Sequence, residues 1–332
     1  MPTSEFDLIA AIRERLHALG ERLRIQSGDD AAVVEPDGIS AISVDAVVDG
    51  VHFRLDEFGP QAVGRKALAA GLSDLAAMGA RPGEAYVVVA SPSELDDEAL
   101  LGIADGLAEV AKRYGVTVAG GDLVSSPVLM ISVTAVGYSP TGSRLVTRAG
   151  PRAGDLIAVT GRLGGAAGAL ALMDGGGGPV RPELREAMLM RQFNPPARVS
   201  EGLALAAEGA TAMIDVSDGL GADAGQISRS SGCRLEIDLD RIPLVPGLDE
   251  VSGGSGPAIE LAASGGEDYE LLAAIPPDRM LAAKEAVSKA GTELTEIGYA
   301  TGGHGVALKL PGGGEIQPRG FDHRRGSLSG SG

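Results

Sequence analysis

The sequence predicts a two-domain protein of mixed helices and strands, and three observations support this prediction. Its 332 residues exceed the usual size of a single domain. Apolar periodicity in the first half runs strand, strand, helix, strand, helix, strand, strand, an order typical of an α+β domain. Turn-forming residues cluster at 148–154 between two periodic segments. We therefore expect domains at 1–148 and 149–323, followed by a disordered tail at 324–332.

The first half has clear element signals. Apolar residues at helical spacing predict a first helix, small residues ended by Gly79 predict a second, and Ser93 is the expected cap of a third helix that ends near Tyr114. Apolar, β-branched runs predict the strands between them. The expected helices cover 4–19, 60–78 and 93–114, and the expected strands 31–35, 39–48, 86–90, 116–122 and 129–137.

The second half opens with a strand and a helix of small residues, as a dinucleotide-binding domain would. That interpretation fails because Leu163 stands where a G-x-G-x-x-G motif needs a glycine before Gly165 and Gly168, and the chain has no P-loop motif either. A surface loop is expected at Gly175–Gly178. The remaining expected strands are 155–161, 212–220, a segment within 264–275, and 305–310; the expected helices are 183–191, 198–207 and 278–290.

Composition excludes several classes of partner. The net charge of -17 argues against nucleic acid and against an acidic membrane surface, because both require a basic face. We expect no signal peptide, because Arg13, Glu14 and Arg15 interrupt any apolar run near the start, and no apolar run approaches the roughly 20 residues of a membrane span. Cys233 has no second cysteine to pair with, so a reducing cytoplasm and a buried thiol are expected.

Carboxylates crowd the stretch from Gly28 to Phe53. Asp29, Asp30, Asp45 and Asp49 lie among apolar runs there, and no lysine or arginine occurs between Arg24 and Arg54. A buried carboxylate without a partner costs several kcal/mol or shifts its pKa. A divalent cation would supply the missing charge, whereas exposed turn aspartates would need none; residue type alone leaves both interpretations open.

Six aspartates stand at or near the ends of elements. Asp74 falls in the last turn of a predicted helix, where the helix dipole disfavours an anion; a nearby cation would explain this position, and a solvated surface aspartate is the alternative. Oxygen donors from scattered positions suit Mg²⁺, and no Cys/His spacing suggests zinc. Charge alone thus indicates a Mg²⁺-dependent site that handles phosphate, built on Asp30, Asp45, Asp74, Asp122, Asp215 and Asp218.

Seven motifs in order carry a family resemblance that spans about residues 4 to 323. They are GDDAAVV, SVDAVVDGVHF, LSDLAAMGA, GGD, TRAGPRAGD, DVSDGL and GGEDYELL. Together they resemble the thiamine-monophosphate kinases of the aminoimidazole-ribonucleotide-synthetase-like superfamily. The resemblance implies an N-terminal α+β dimerisation domain and a C-terminal α/β domain, a homodimer, and ATP bound in a cleft between the domains. It also implies direct transfer of the γ-phosphoryl group to thiamine monophosphate.

The resemblance also implies roles for particular residues. Gly121, Asp122, Arg148 and Ser217 would bind ATP, and Tyr114 would lie near its adenine. His52 would face the phosphate of the acceptor, Glu267 would contact its thiamine part, and Phe321 would stack on it. Several Mg²⁺ ions would be held by Asp30, Ser43, Val44, Asp45, Asp74, Asp122, Asp215 and Asp218. No residue is expected to act as a covalent nucleophile or general base, since the acceptor is already an ionised phosphate oxygen.

Two positions depart from the family pattern, and rival functions remain. Gly71 stands where asparagine is expected, and Leu123 where threonine is usual. Selenophosphate synthetase would be expected to carry a cysteine or selenocysteine near its N-terminus, and the hydrogenase-maturation relative would end in a cysteine, whereas Cys233 is internal. An aminoimidazole ribonucleotide synthetase is the closest alternative. A rival of another class is a non-catalytic acidic protein that binds divalent cations without turnover.

Overall fold

The structure is a computed structural model that describes residues 5–16, 20–25, 31–139, 144–176, 180–317, 320–322 and 327–329. The side chains of residues 5, 6, 321, 322 and 327–329 are outside this description. The chain divides into two compact units: residues 1–75 with 80–142, and residues 76–79 with 143–332. The domain limits expected from the sequence, 148 and 149, stay a prediction.

The first unit is built on a four-stranded sheet of order β3-β6-β4-β5, in which only the β4–β5 pair is parallel. A separate two-stranded sheet joins β1 and β2. The elements are α1 (Glu5–Arg15), β1 (Leu23–Ile25), β2 (Val33–Val34), β3 (Ser40–Val48), α2 (Leu55–Phe58), α3 (Pro60–Ala77), β4 (Arg81–Ser91), α4 (Asp97–Tyr114), β5 (Thr117–Ser125) and β6 (Met130–Tyr138).

The two faces of this sheet differ. One face carries buried residues such as Val87, Val133 and Ala135, and α3 packs on it, with Gly71 against Val133. The opposite face exposes apolar side chains, with Ile42 65% and Val44 68% accessible. Residues alternate between the faces because successive side chains of a strand point to opposite sides.

The second unit contains a seven-stranded sheet of order β13-β12-β9-β11-β7-β10-β8, antiparallel except at β12–β9. Its elements are β7 (Leu156–Thr160), α5 (Gly165–Met173), α6 (Pro182–Phe193), α7 (Val199–Ala207), β8 (Ala212–Asp215), α8 (Leu220–Ser231), β9 (Cys233–Asp238), a 3-10 turn (Leu239–Arg241), α9 (Leu248–Ser252), α10 (Ser255–Ser264), β10 (Leu271–Ile275), α11 (Met280–Ala290), β11 (Leu294–Gly302), β12 (Gly305–Lys309), β13 (Glu315–Ile316), β14 (Gly320–Asp322) and β15 (Ser327–Ser329).

The core of the second unit lies between the sheet and its helices. Ile157, Ile214, Leu235 and Leu272 come from four strands and are at most 2% exposed, and they pack with apolar residues of α8 and α10. Burial on this scale is the main stabilising contribution to such a layer structure. Cys233 belongs to this core, as expected, and burial raises the pKa of its thiol.

The predicted mixture of α+β and α/β architecture is confirmed, with several corrections to its elements. Asp96, not Ser93, caps α4: its side chain accepts from the N–H of Ala99 at 2.8 Å. The strand expected at 212–220 ends at Asp215, because the chain turns there and starts α8 at Leu220. Ser327–Ser329, part of the expected tail, pair with β14, and the other tail residues from 324 onward lie outside the described residues.

Candidate functional site

Three of the predicted metal-binding side chains of the first unit are set by regular elements. Ser43 and Asp45 lie two residues apart on β3, on the face that α3 covers, and both are half-buried. The Ser43 hydroxyl donates a hydrogen bond to Oδ2 of Asp74 in the last turn of α3. Asp74 is therefore half-buried and joined to β3, not a solvated surface residue.

The other predicted residues of this unit are more scattered. Val44 points to the exposed face of β3, so only its backbone is suited to a metal ion. Asp122 is exposed near the middle of β5 and directly follows Gly121. Asp30 lies outside the described residues.

Gly121 requires a glycine because β4 approaches it closely. A Cβ atom at this position would lie 2.2 Å from the carbonyl oxygen of Val87. Gly121, Asp122 and Leu123 line one side of a pocket of about 210 Å³ whose other walls come from α1, α4 and β4. Its lining is mostly apolar: Ile9, Ile12, Leu16, Val87, Val89, Leu100, Ile103, Ala104, Leu107 and Val118, with Arg13 and Gly120.

Tyr114 is not part of that lining. It is the last residue of α4, whereas the pocket is formed by Leu100 to Leu107 from the same helix. Sequence reasoning selected Tyr114 as the aromatic residue nearest the GGD motif. The helix instead turns its aliphatic residues towards the pocket.

His52 lies in the tight turn after β3. Its Nδ1 accepts a hydrogen bond from the N–H of Val48 at 3.1 Å. An imidazole nitrogen that accepts carries no proton, so in the neutral ring the proton is on Nε2. Asp49 holds the same turn, since its Oδ1 accepts from the N–H groups of Gly50 and Leu55, each at 3.1 Å.

The second unit presents its carboxylates on a loop, which we call the DVSDG loop (residues 215–219). Asp215 ends β8 and is 4% exposed, while Ser217 and Asp218 are half-buried. Gly219 has a φ of 118°, a conformation that favours glycine, and a Cβ atom there would lie 2.7 Å from the carbonyl oxygen of Ser264.

Asp223 organises the DVSDG loop and was not selected from the sequence. Its Oδ2 accepts from the backbone N–H groups of Ser217, Asp218 and Gly219, each at 3.1 Å. Burial, and then the negative charges of Asp215 and Asp218, raise the pKa of Asp223. A cation bound to Asp215 and Asp218 would relieve this repulsion.

A second loop, the GGEDYE segment (residues 265–270), is hydrogen-bonded to the DVSDG loop. The N–H groups of Glu267 and Tyr269 donate to the carbonyl oxygens of Ser217 and Val216 at 2.8 and 2.9 Å. Glu267 and Tyr269 have φ values of 65° and 49°, which are uncommon for residues other than glycine. Such conformations persist where the surrounding structure enforces them, and they concentrate at functional sites.

Asp268 closes the N-terminus of α5. This fully buried carboxylate accepts from the N–H groups of Gly164 at 2.7 Å and Ala166 at 3.3 Å. Burial raises its pKa to about 7, although the two N–H bonds act in the opposite direction. The helix end that a dinucleotide-binding domain would offer to a phosphate is thus occupied by a side chain of the protein itself.

Two further predicted ligand residues, Arg148 and Phe321, also belong to the second unit. Arg148 is exposed, and its carbonyl oxygen accepts from the Ser231 hydroxyl at 3.1 Å. Phe321 lies in β14, and its side chain is outside the described residues. Its neighbour Gly320 packs beside the DVSDG loop, since a Cβ atom there would be 2.9 Å from the carbonyl oxygen of Asp218.

The donor chemistry of these residues suits Mg²⁺, because all the named side chains offer oxygen. Ser43 with Asp74, and Asp215 with Asp218, form two partial donor sets in their own units. Among the described residues, which exclude Asp30, no group of three Asp, Glu, His or Cys side chains is placed to hold a metal ion. Magnesium binding therefore stays a prediction.

Sequence reasoning missed four residues that hold the loops in place. Asp223, Asp268, Glu270 and Gln192 are each at most 3% exposed, and each hydrogen-bonds to a functional loop or lies within it. Buried polar groups in a globular protein are unusual enough to be informative. Their burial, however, is visible only after folding. In the part of the chain that the structure describes, no helix is long and apolar enough to span a bilayer.

Comparison with known proteins identifies the family. Residues 28–139 match the N-terminal domain of the AIR synthase related proteins, and residues 152–311 match their C-terminal domain. Thiamine-monophosphate kinase of Caulobacter vibrioides is 38% identical over 323 residues, which cover 94% of this chain and 88% of that protein.

Solved structures agree with this assignment. Thiamine-monophosphate kinase of Stenotrophomonas maltophilia superposes with a TM-score of 0.83 at 36% identity, over 92% of this chain and 96% of that one. AaThiL in complex with AMPPCP and TMP superposes with a TM-score of 0.75 at 30% identity, over 96% of each chain. The chain therefore belongs to the AIR synthase related proteins and, within them, to the thiamine-monophosphate kinase family.

Proposed function

We propose that this chain transfers the γ-phosphoryl group of ATP to thiamine monophosphate and so forms thiamine diphosphate. The observation that carries the proposal is its likeness to AaThiL, which binds the ATP analogue AMPPCP together with TMP and is 30% identical over 96% of this chain. Two acidic loops and an apolar pocket in this structure are consistent with such a pair of ligands.

The pocket beside Gly121 and Asp122 is our candidate for the nucleotide base. Its aliphatic walls suit an aromatic ring, and Asp122, a residue that lies at this pocket, is proposed to hold a metal-bound phosphate. Leu123, where the family usually has threonine, adds a further apolar wall. Arg148 and Ser217 would contact the phosphates, and Tyr114, at the end of the helix whose other residues line the pocket, would lie near adenine.

Magnesium ions would be held by carboxylates, together with Ser43 and a backbone oxygen at Val44. Bound Mg²⁺ would neutralise the phosphate charges that otherwise oppose the approach of two anions. At 4 Å two unit charges repel by about 1 kcal/mol in water and about 4 kcal/mol at an effective dielectric of 20. The proposed ligands are Asp30, Ser43, Val44, Asp45, Asp74, Asp122, Asp215 and Asp218.

The protein's own residues would orient the acceptor. His52 would face the phosphate of the acceptor, from a turn in which its Nδ1 accepts from the N–H of Val48. Glu267 would accept from the thiamine part, and Phe321 would stack against it. No covalent intermediate and no general base are needed, since the attacking oxygen is ionised near neutral pH; catalysis is positioning and charge compensation.

We also propose a homodimer formed through the exposed face of the first unit's sheet. Ile42, Val44, Val88 and Val124 all expose apolar area there, and apolar patches of this kind mark association surfaces. Ile42→Glu should shift the protein to monomer in analytical ultracentrifugation. Leu281→Glu, at an exposed apolar residue of α11 in the second unit, is the matched control and should leave the mass unchanged. A dimer that survives Ile42→Glu at wild-type affinity would contradict this interface.

The proposed setting is the cytoplasm, where ATP and Mg²⁺ are available. The decisive experiment follows ADP and thiamine diphosphate with Mg²⁺ and ATP, with and without thiamine monophosphate, and again with EDTA. We expect one thiamine diphosphate per ADP and no product with EDTA. If ATP binds but thiamine monophosphate is not converted, the enzyme uses a different substrate, as another member of the superfamily does. If divalent cations bind without any turnover, a non-catalytic role is supported.

A further inference from the structure

Two glutamates of the GGEDYE segment accept hydrogen bonds from different kinds of donor at α6 and at the start of α7. Glu270 is fully buried and accepts from Arg191 Nη1 at 3.0 Å, from Arg198 Nε and Nη2 at 2.7 Å each, and from the Thr160 hydroxyl at 2.8 Å. Although burial opposes the charge of Arg198, the hydrogen bonds and charge of Glu270 hold its pKa above the ordinary value. Glu270 is thus a buried ion that two guanidinium groups stabilise.

Glu267 is held by a donor of another kind. Its Oε2 accepts from Nε2 of Gln192 at 2.7 Å, and Gln192 is completely buried near the end of α6. An amide donor fixes the position of a carboxylate oxygen but, unlike arginine, adds no positive charge. Gln192 and Arg191 are neighbours in sequence, so one turn of α6 serves both glutamates in these two different ways.

The backbone of Glu267 is fixed as firmly as its side chain. Its N–H donates to the carbonyl oxygen of Ser217 at 2.8 Å, and its φ of 65° is unusual for a non-glycine residue. The preceding residue must be glycine, because a Cβ atom at Gly266 would lie 2.3 Å from the same carbonyl oxygen. With its main chain fixed in this way, the remaining freedom of Glu267 lies in its side-chain torsions, and Gln192 restricts those.

We propose that Gln192 is a positioning residue that aims the Glu267 carboxylate at the amino-substituted, cationic heteroaromatic part of the phosphoryl acceptor. By engaging Oε2, Gln192 restricts the orientation of the carboxylate that accepts from the exocyclic amino group of the acceptor's pyrimidine. The amide itself adds no positive charge beside the cationic ring. This inference rests on the proposed function, because thiamine monophosphate carries both the amino group and the cationic ring.

The test compares Gln192→Met with Gln61→Met. Methionine keeps the length and buried volume of glutamine but removes the donor. Gln61 makes the same kind of bond, from its Nε2 to Oε1 of Glu109 at 2.6 Å, on an exposed helix surface, and serves as the control. Gln192→Met should raise KM for thiamine monophosphate about 10- to 100-fold, as expected for a lost hydrogen bond to a charged group, and leave KM for ATP within about twofold. Gln61→Met should change neither constant.

An acceptor analogue without the pyrimidine amino group gives a readout that a purely structural role would not change. The wild type should prefer thiamine monophosphate over this analogue, and Gln192→Met should lose most of that preference. In a double-mutant cycle, Gln192→Met should add little to the effect of Glu267→Gln on acceptor KM. If Gln192→Met does not fold, Gln192→Asn retains the amide but withdraws it, and should shift acceptor KM in the same direction.

The failures are distinguishable. If the wild type is active and Gln192→Met leaves acceptor KM and acceptor preference unchanged, or raises both KM values equally, the role of Gln192 is overturned while the proposed function stands. If the wild type forms no thiamine diphosphate, both the proposed function and this inference fall.

Discussion

The two units present carboxylates by different physical means. In the first unit, Ser43 and Asp45 on β3 and Asp74 on α3 take their directions from regular elements. In the second unit, Asp215, Asp218 and Glu267 lie at a strand end or in loops, and dedicated buried groups hold those loops: Asp223, Asp268, Glu270 and Gln192. Strands and helices fix side-chain direction through their backbone, whereas a loop needs side-chain hydrogen bonds to do so.

The largest expected effect is on turnover and should be the same in both units. Asp45→Asn and Asp215→Asn each remove a charge from the proposed metal ligands and should lower kcat by about 100-fold or more, with the circular dichroism spectrum unchanged. Asp37→Asn, at an exposed position of the first unit, is the control and should keep wild-type turnover. Near-normal kcat in both site variants would contradict the proposal that Mg²⁺ ions held by these aspartates compensate the phosphate charges.

The next effect is on stability and belongs to the loop-based unit. Glu270→Gln removes the buried anion that Arg191 and Arg198 share, leaving Arg198 only its pair with Glu201, and should lower the free energy of unfolding by about 3–5 kcal/mol. Glu250→Gln breaks the exposed pair with Arg181 and should cost at most about 1 kcal/mol. Denaturant titrations of the two variants check this contrast, and equal losses would show that burial of Glu270 contributes nothing special.

Asp268 should make the stability of the second unit depend on pH. Its folded-state pKa of about 7 is above the ordinary value of 3.8, so the folded state holds the proton more strongly. Its stabilising contribution is therefore complete below about pH 4 and is lost as the pH rises through 7, at up to about 1.4 kcal/mol per pH unit. Glu270 raises this pKa and Arg191 lowers it.

The comparison variant is Asp268→Asn, which cannot titrate. Thermal unfolding of both proteins between pH 4.5 and 7.5 should show the wild type losing its advantage as the pH rises. A difference in Tm that stays constant over this range would contradict the proposed protonation of Asp268.

The smallest expected effects compare a loop held by a buried side chain, Asp223, with a carboxylate held by a regular element, Asp74 beside Ser43. Asp223→Ala removes the acceptor of three backbone N–H groups and should destabilise the protein by about 1–3 kcal/mol, while Asp223→Asn, which keeps an acceptor oxygen, should recover part of the loss. Ser43→Ala removes a single hydroxyl beside Asp74 and should cost about 0.5–1.5 kcal/mol. If denaturant titration shows that Ser43→Ala loses more stability than Asp223→Ala, our distinction between the two units is wrong.

Regular elements with local signals were predictable from the sequence. The helix expected at 60–78 is observed as Pro60–Ala77, and the strand expected at 39–48 as Ser40–Val48, because residue periodicity and Gly79 are local features. The sequence predicts strand through the DVSDG turn, because its apolar pattern does not show that Asp223, four to six residues further on, accepts from the backbone that bends there. The other three missed residues, Asp268, Glu270 and Gln192, bond to partners that are distant in sequence: Gln192 and Glu267, for example, are 75 positions apart.

The closed N-terminus of α5 has a consequence for redesign. The β7–α5 connection has the outline of a dinucleotide-binding turn, and restoring its missing glycine at Leu163 is the obvious first step towards such a site. That step alone cannot succeed, because the side chain of Asp268 already occupies the amides of Gly164 and Ala166 that a pyrophosphate would need. Asp268 would have to be replaced before the N-terminus of α5 could bind phosphate. The same replacement would remove two of the hydrogen bonds that hold the GGEDYE segment in place.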